Sequence, residues 1–344
     1  MTATARPTGL DAPELAAART RSFEALRDAV QRLCPAVAHV AGYHAGWTDE
    51  RGRPLERSSG KALRPALALL AARAAGAGEE HGIAAGVAVE LVHDFSLLHD
   101  DVMDGDTERR HRPAAWTVFG TPTAILTGDA LLAAAVEVLT EAEGPGRAEA
   151  IRLLLGTVRR LIAGQERDVA FETRHSVTVE EYLAMAAGKT AALITAAVTV
   201  GPLLAGAPRP VLDDLEGYGR HLGLAFQITD DLLGTWGAPE ITGKPVLGDI
   251  RRRKMTLPVV VAMAGSGPDA QWLREVYRGG DVLSDEEAAR VADVVERSGG
   301  RAAAETRARH HVTSACRYAE RLGPGDGAVR HLVGLATAVA DRSS

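Results

Sequence analysis

Apolar positions along this chain recur every three or four residues, the period of a helix face, and rarely every two. The pattern begins near Ala12 and runs to about Cys34. A Gly/Arg/Ser-rich loop from Thr48 to Gly60 follows, and the period resumes from Lys61 to about Ala75 and from about Ile83 to Asp104. Thr121-Pro122 opens the next helix, with proline at a tolerated first-turn position. Thr178-Val179-Glu180-Glu181 and Ser284-Asp285-Glu286-Glu287 are capping boxes. The helix after the first ends at Gly201-Pro202, and the helix after the second stops at Gly299-Gly300. Pro210 opens a helix ending near Gly234, and the last two fill Ala302 to Leu322 and Ala328 to Asp341. The nearest thing to a strand, Val259-Val260-Val261, lies inside a helix-compatible stretch from Leu257 to Met263. No internal repeat or linker composition interrupts the chain. The pattern predicts an all-α fold of about ten or more helices in a single domain over residues 11–344, preceded by a disordered tail over residues 1–10.

Composition sharpens this picture. Hydrophobic residues make up 46% of the 344 residues, so a sizeable core is available, yet aromatics are only 4%. Alanine runs such as Ala133-Ala134-Ala135 supply the difference. Alanine is the strongest helix former and lets helices approach closely. The net charge of −6 argues against nucleic-acid binding, which favours a basic domain. Two cysteines, Cys34 and Cys316, form neither a disulfide framework nor a zinc pattern. Met1 to Leu10 has no apolar stretch of signal-peptide type. No uninterrupted apolar run reaches the roughly 18 residues of a membrane span. The expectation is a soluble cytoplasmic protein without a membrane span.

Charge placement points to chemistry. His99-Asp100-Asp101-Val102-Met103-Asp104 and Thr229-Asp230-Asp231-Leu232-Leu233-Gly234 are acidic clusters 130 residues apart. Carboxylates this close repel unless cations or protons intervene. Mg²⁺ prefers oxygen ligands and takes one or two carboxylates with water and substrate phosphate. Asp100 and Asp104 share a helix face flanked by Asp101, and Gln227 shares a face with Asp230 and Asp231. An acidic triplet at a helix end is ordinarily a solvated patch. Here apolar Leu97, Leu98, Val102 and Met103 bracket the first, and the helix dipole disfavours negative charge at a C-terminal end. Cationic loops follow both clusters: Gly105 to Pro113 with Arg109, Arg110 and Arg112, and Gly237 to Lys254 with Lys244 and Arg251 to Arg253. Acids followed by cations suit a metal-bound polyanion. Of 39 basic residues only four are lysine: Lys61, Lys189, Lys244 and Lys254. A compact ammonium charge is not replaceable by a guanidinium at every site, so these four are candidates for positions needing a point charge. Gly188 precedes Lys189 in a helical stretch, where glycine costs roughly 1 kcal/mol relative to alanine. A kink, a close approach of ligand, or simple tolerance would each account for it.

These segments together carry a resemblance. Gly60-Lys61-Ala62-Leu63-Arg64-Pro65, Glu90-Leu91-Val92-His93, His99 to Pro113, Gly128-Asp129-Ala130-Leu131, Gly164-Gln165, Gly188 to Leu193, Phe226 to Asp231, and Gly243-Lys244-Pro245 followed by Lys254 resemble the trans-isoprenyl diphosphate synthases. Each is weak alone; the order and spacing are specific, and all four lysines fall on family positions. The resemblance implies a helical bundle around a central apolar cavity, a homodimer, and condensation of isopentenyl diphosphate with an allylic diphosphate. It implies three Mg²⁺ per active site, held by Asp100, Asp104 and Asp230 with Asp101 and Asp231 in support. It implies that Arg109, Lys189, Lys244 and Lys254 hold the allylic diphosphate. Lys61, Arg64, His93 and Arg110 would hold isopentenyl diphosphate, and Thr190 and Gln227 would present dipoles to the developing cation.

Several positions depart from the family pattern. Ser59 and Ala62 stand where the family often has Gly and Arg, and His111 replaces the glycine common after the arginine pair. Gly234 replaces the third aspartate of the second motif. By resemblance Phe95, about 7.5 Å along the helix axis from Asp100, floors the product pocket, while ideal geometry sets it on a different face. An ordinary core role for Phe95 is the alternative. With small Ser96 beside it, a single bulky floor implies geranylgeranyl diphosphate as product, with farnesyl diphosphate the alternative. A class I terpene cyclase and a non-catalytic subunit of a heteromeric synthase are the rival readings. Lys61, Arg64 and Arg110 argue against the former, and Gly234 motivates the latter.

Overall fold

The computed structural model describes residues 13–55, 63–237, 247–279, 282–323 and 327–341. The tail at 1–10, Lys61 and Lys244 lie outside these residues. The fold is all-α, as the periodicity predicts. Helix α1 (Pro13–Gln31) is followed by α2 (Pro35–His44), α3 (Leu63–Ala74) and α4 (Glu79–Met103). A two-residue hairpin, β1 (Glu108–Arg109) and β2 (Arg112–Pro113), leads to α5 (Ala115–Phe119), α6 (Thr121–Glu141) and α7 (Arg147–Phe171). Helix α8 (Val179–Ala186) passes through a π-helical segment (Ala187–Ala191) into α9 (Ala192–Leu204), and α10 (Arg209–Trp236) follows. The chain ends with α11 (Gly248–Arg251), α12 (Leu257–Met263), α13 (Pro268–Val276), α14 (Asp285–Arg297), α15 (Gly300–Glu320) and α16 (Ala328–Asp341).

The predicted first helix is α1, and α2 follows it without having been predicted. Cys34 is extended (ψ 147°), as residues before proline tend to be, and Pro35 starts α2 at its first turn. Both capping boxes form: Thr178 pairs with Glu181, and Ser284 with Glu287. The helix opened by Thr178 does not stop at Pro202, which lies inside α9.

The chain divides into two compact units. One comprises residues 1–156, 196–215 and 322–332; the other comprises 157–195, 216–321 and 333–344. In the first, Ala66 to Ala72 of α3 are buried against α4. Glycines permit the close crossing: a Cβ on Gly86 would stand 3.0 Å from Pro65 Cα, and one on Gly82 3.1 Å from Leu69 Cα. Fully burying Leu67, Leu69 and Leu70 stabilises by roughly 1.5–3 kcal/mol each. In the second unit, α12 supplies Leu257, Val259 and Val260 to a core shared with Tyr182, Ile228, Ile250 and Val295.

Three helical stretches, Glu79–Met103, Thr121–Glu141 and Val179–Leu204, are long and apolar enough to cross a membrane by length and composition. That corrects the expectation drawn from uninterrupted runs. Alanine and glycine interspersed with single polar residues break every run yet keep the average hydropathy high. Of the apolar windows, 67%, 39% and 61% are buried inside the protein. The middle helix, α6, leaves Ile125 and Leu126 exposed.

Candidate active site

In the first unit the acidic cluster closes α4. Asp104 caps the helix, its N–H bonded to the Asp100 carbonyl at 2.8 Å. Asp100 and Asp104 are half-buried, while Asp101 turns inward and is buried. Arg109 donates from Nε to Asp101 Oδ1 at 2.9 Å, and its Nη2 reaches the same oxygen. Burial pushes the Asp101 carboxyl up, and the Arg109 guanidinium offsets this only in part. The second oxygen, Asp101 Oδ2, is buried without a hydrogen-bond partner.

The arginine loop is held by the hairpin, with Glu108 paired to Pro113 and Arg109 to Arg112. Its tip residues, Arg110 (φ 54°) and His111 (φ 60°), are both left-handed, the signature of a two-residue type I′ turn. This explains why glycine suits position 111. Periodicity could not announce so short a hairpin. Arg112 stacks on Tyr43 (4.2 Å to the ring centroid) and donates to the Thr48 carbonyl at 3.0 Å.

Arg110 lines a small cavity with Trp47, Phe23, Glu90 and Asp94. Here the structure gathers three predicted residues: burial first, then the charges of Arg64 and Arg110, hold His93 well below its ordinary value. Two acids face these cations. Burial pushes the Asp94 carboxyl up to about 7, with the Glu90 charge adding to the effect. His44, buried 3.9 Å from Asp94, is held down to about 3 by burial and by Arg110 and Arg109. Sequence reasoning missed Asp94 and His44 because neither lies in an acidic or basic run. Phe95 is buried edge-on to His99 (4.8 Å between centroids), whose Nε2 bonds the Ile125 carbonyl at 3.0 Å. Gly128 makes room for that ring, since a Cβ there would stand 2.3 Å from His99 Nε2.

In the second unit the predicted residues cluster around α10 and the π segment. Asp230 is exposed, and Asp231 is buried. Asp231 Oδ2 accepts from Tyr182 Oη at 2.6 Å and from the Leu257 N–H at 2.8 Å; Oδ1 accepts from Gln227 Nε2 at 3.0 Å. Burial lifts its carboxyl to about 7 against these three donors. With Nε2 committed to Asp231, Gln227 turns Oε1 to Thr190, whose hydroxyl donates to it. Lys189 Nζ donates to Asp168 Oδ2 of α7. Lys254 is half-buried, its backbone N–H bonded to the Asp249 carbonyl at 2.9 Å.

Lys189 and Thr190 both stand in the π segment, where the Ala192 N–H reaches back to the Ala187 carbonyl. Such segments recur at functional sites and have no sequence period of their own. Gly188 is explained by the backbone of α7: a Cβ there would lie 2.7 Å from the Arg160 carbonyl oxygen and 3.0 Å from Gly164 Cα. The close approach at Gly188 is thus by a helix and not by a ligand, as one of the expectations had it. Gly234 is likewise crowded, with the Asp249 carboxylate where its side chain would begin.

Among the described residues, no three His, Cys, Asp or Glu side chains converge to hold a metal. Mg²⁺ asks for less than such a cage, often one or two carboxylates completed by water and substrate phosphate. The donor set present, Asp100 and Asp104 beside the unpartnered Asp101 Oδ2, consists of hard oxygens and fits that ion.

An all-α chain with Arg109 bonded to the first acid cluster, and Lys189 next to the Thr190 that reaches the second through Gln227, fits a class of diphosphate-handling transferases. The polyprenyl synthetase profile matches residues 47–295, and the chain belongs to that family. It is a prenyltransferase. It is 48% identical over 336 residues to a (2E,6E)-farnesyl diphosphate synthase of Mycobacterium tuberculosis, covering 96% of this chain and 93% of the relative. A geranylgeranyl diphosphate synthase from the same organism is 43% identical over 295 residues, covering 86% and 84%. The crystal structure of a polyprenyl synthetase from Streptomyces coelicolor superposes with a TM-score of 0.89 at 45% identity, covering 94% and 98%.

Proposed function

We propose that this chain condenses isopentenyl diphosphate with an allylic diphosphate to give geranylgeranyl diphosphate. The observation that carries the chain length is Phe95, a lone aromatic buried against His99 on α4 with small Ser96 beside it. The farnesyl product is the second reading, supported by the 48% identity to a farnesyl diphosphate synthase. The cyclase and non-catalytic readings lose ground, since the relatives named above are diphosphate synthases.

Under this reading Arg109, Lys189, Lys254 and Lys244 bind the allylic diphosphate, and Lys61, Arg64, His93 and Arg110 bind isopentenyl diphosphate. The carbon–oxygen bond of the allylic diphosphate breaks, the double bond of isopentenyl diphosphate forms the new carbon–carbon bond, and a proton leaves to the released diphosphate. Thr190 and Gln227 orient dipoles toward the transient positive charge, a preorganised role. Asp231 acts on the reaction through Gln227. Asp100, Asp104 and Asp230 would hold Mg²⁺, three ions per active site, which would supply Lewis-acid stabilisation of the leaving group. Asp101 supports that set from its buried position.

We further propose a cytoplasmic homodimer. Leu155, Ile162 and Val169 are exposed on one face of α7 at seven-residue spacing, and α6 exposes Ile125 and Leu126. Exposed apolar residues in such rows support a face for a second copy of the chain.

The test incubates the purified chain with Mg²⁺, isopentenyl diphosphate and dimethylallyl, geranyl or farnesyl diphosphate, and identifies the products. Geranylgeranyl diphosphate is expected, with longer products from Phe95→Ala. A cyclic hydrocarbon or no turnover refutes the function. Unchanged product length in Phe95→Ala removes the floor role.

A further inference from the structure

Glu90 and Asp94 stand four residues apart on α4, so they share a face, and like charges so placed repel. The fold brings cations to that face from two other elements. A Cβ on Gly86, one turn before Glu90, would lie 3.0 Å from Pro65 Cα, so the backbone of α3 runs close over α4. Arg64 precedes Pro65, and its charge acts on both acids. The left-handed turn at the hairpin tip carries Arg110 to the cavity that Glu90 and Asp94 line. Ser22 of α1 lines the same cavity, its hydroxyl buried without a hydrogen-bond partner.

Charged and titratable groups reach this pair from every side. Helix α1 brings Arg19 to the cavity wall, α2 brings His44 to 3.9 Å from Asp94, α3 brings Arg64, and the hairpin brings Arg110. Arg109, the next cation of the hairpin, is committed to Asp101. His44 and His93 are held neutral by burial and by the arginines. Arg64 Nε, Glu90 Oε2 and His44 Nε2 are buried without hydrogen-bond partners. Two arginines thus face two carboxylates that burial penalises, and burial lifts both acids, Asp94 to about 7. A diphosphate arriving at the same arginines adds negative charge beside the pair and raises the cost of keeping both carboxylates ionised.

We propose that Glu90 and Asp94 are positioning residues that hold Arg64 and Arg110 as internal counter-anions, and that the pair takes up one proton when isopentenyl diphosphate binds those arginines. This rests on the reading above, in which Arg64 and Arg110 bind that substrate. The proton comes from solvent and forms an O–H bond on one carboxylate, which leaves the pair with a single negative charge beside the ligand. The sign separates this event from the ligand's own chemistry. A phosphate group loses its last proton near pH 6, and arginines favour its ionised form, so the ligand by itself can only release protons on binding. At pH 8 the ligand is already ionised, and uptake then belongs to the protein.

The test titrates isopentenyl diphosphate into the full chain by calorimetry without divalent metal, so that the arginine pocket binds while the acidic clusters repel the ligand. Runs at pH 8 in buffers of different ionisation enthalpy count the protons. The parent should take up between about half a proton and one, and its apparent affinity should fall by up to about tenfold per unit between pH 7.5 and 8.5. Asp94→Asn, which fixes the protonated charge, should abolish the uptake, flatten that pH profile and bind more tightly than the parent at pH 8.5. Glu90→Gln should do the same. A merely structural role would lower the thermal midpoint and leave the pH profile as it is. Zero uptake or net release in the parent overturns the proposal without any variant. Uptake that persists in both variants puts the proton on His93 or His44 and overturns it as well. If the parent makes prenyl diphosphates but shows no uptake, or no binding in this titration, this inference alone fails. If it binds no isopentenyl diphosphate and makes no product, the functional reading fails with it.

Discussion

Tyr182 and Tyr277 are both buried in the second unit, and the same deletion of a hydroxyl should affect them in opposite ways. Tyr182 donates to Asp231 at 2.6 Å, and burial together with the Asp231 charge holds its own proton on well beyond the ordinary tyrosine range. Tyr182→Phe leaves the buried Asp231 carboxylate with two of its three donors. A hydrogen bond to a charged group is worth about 1.5–3 kcal/mol, so the expected loss of stability is about 2 kcal/mol. The Tyr277 hydroxyl is buried with no partner. Tyr277→Phe removes an unsatisfied polar group and should be neutral or stabilising by up to about 1 kcal/mol. Urea unfolding of parent and both variants, followed by far-ultraviolet circular dichroism at one pH, measures the difference between them. Equal losses at the two sites would refute the reasoning, since burial and ring packing alone would then set both. Tyr182→Phe should also lower kcat, because Gln227 is oriented through Asp231, whereas Tyr277→Phe should leave it unchanged.

Two further predictions concern the first unit. His44 is held neutral in the fold, with its proton affinity down to about 3, whereas an unfolded histidine titrates near 6.5. The stability this contributes is fully present above pH 6.5 and is lost as pH falls toward 3. Between pH 6.5 and pH 5 the cost is roughly 1.5 pH units at about 1.36 kcal/mol each, or about 2 kcal/mol. His44→Gln should remove that slope in urea unfolding between pH 7.5 and 5. Asp94, raised to about 7, works in the opposite sense, being relieved as pH falls, and is common to parent and variant. Parallel slopes in the two proteins would count against the buried neutral histidine. His111→Gly replaces a left-handed non-glycine residue at φ 60° and should stabilise by about 1 kcal/mol in the same assay; a loss of stability would show that the His111 side chain makes up for its backbone.

Helices were legible where a local signal marks them. Thr178 with Glu181 and Ser284 with Glu287 are read three residues apart and form as read. The first helix is read to its end near Cys34, whereas α2, ten residues long and mostly apolar or small, carries too little polar contrast to show a period. What stayed hidden depends on partners distant in sequence or on turns too short for a period. The hairpin at Arg109 to Arg112 has two paired residues on each side. In the sequence Asp231 reads as a support of the metal set; that it is buried and held by Tyr182, 49 residues away, and Leu257, 26 residues away, has no local signal.

The π segment at Ala187–Ala191 has a consequence for how this chain can vary. A π turn holds one residue more than the α turn it interrupts, so it is in effect a single-residue insertion preserved in the middle of a helix. Five residues of π turn sweep about the same angle as four of α-helix, so deleting one residue there would restore a regular α-helix and leave Ala192 to Leu204 in the same phase. What such a deletion would remove is the local offset that sets Lys189 and Thr190 where they stand. The extra residue thus serves the side chains of the segment itself, while the part of the helix that packs would tolerate its loss.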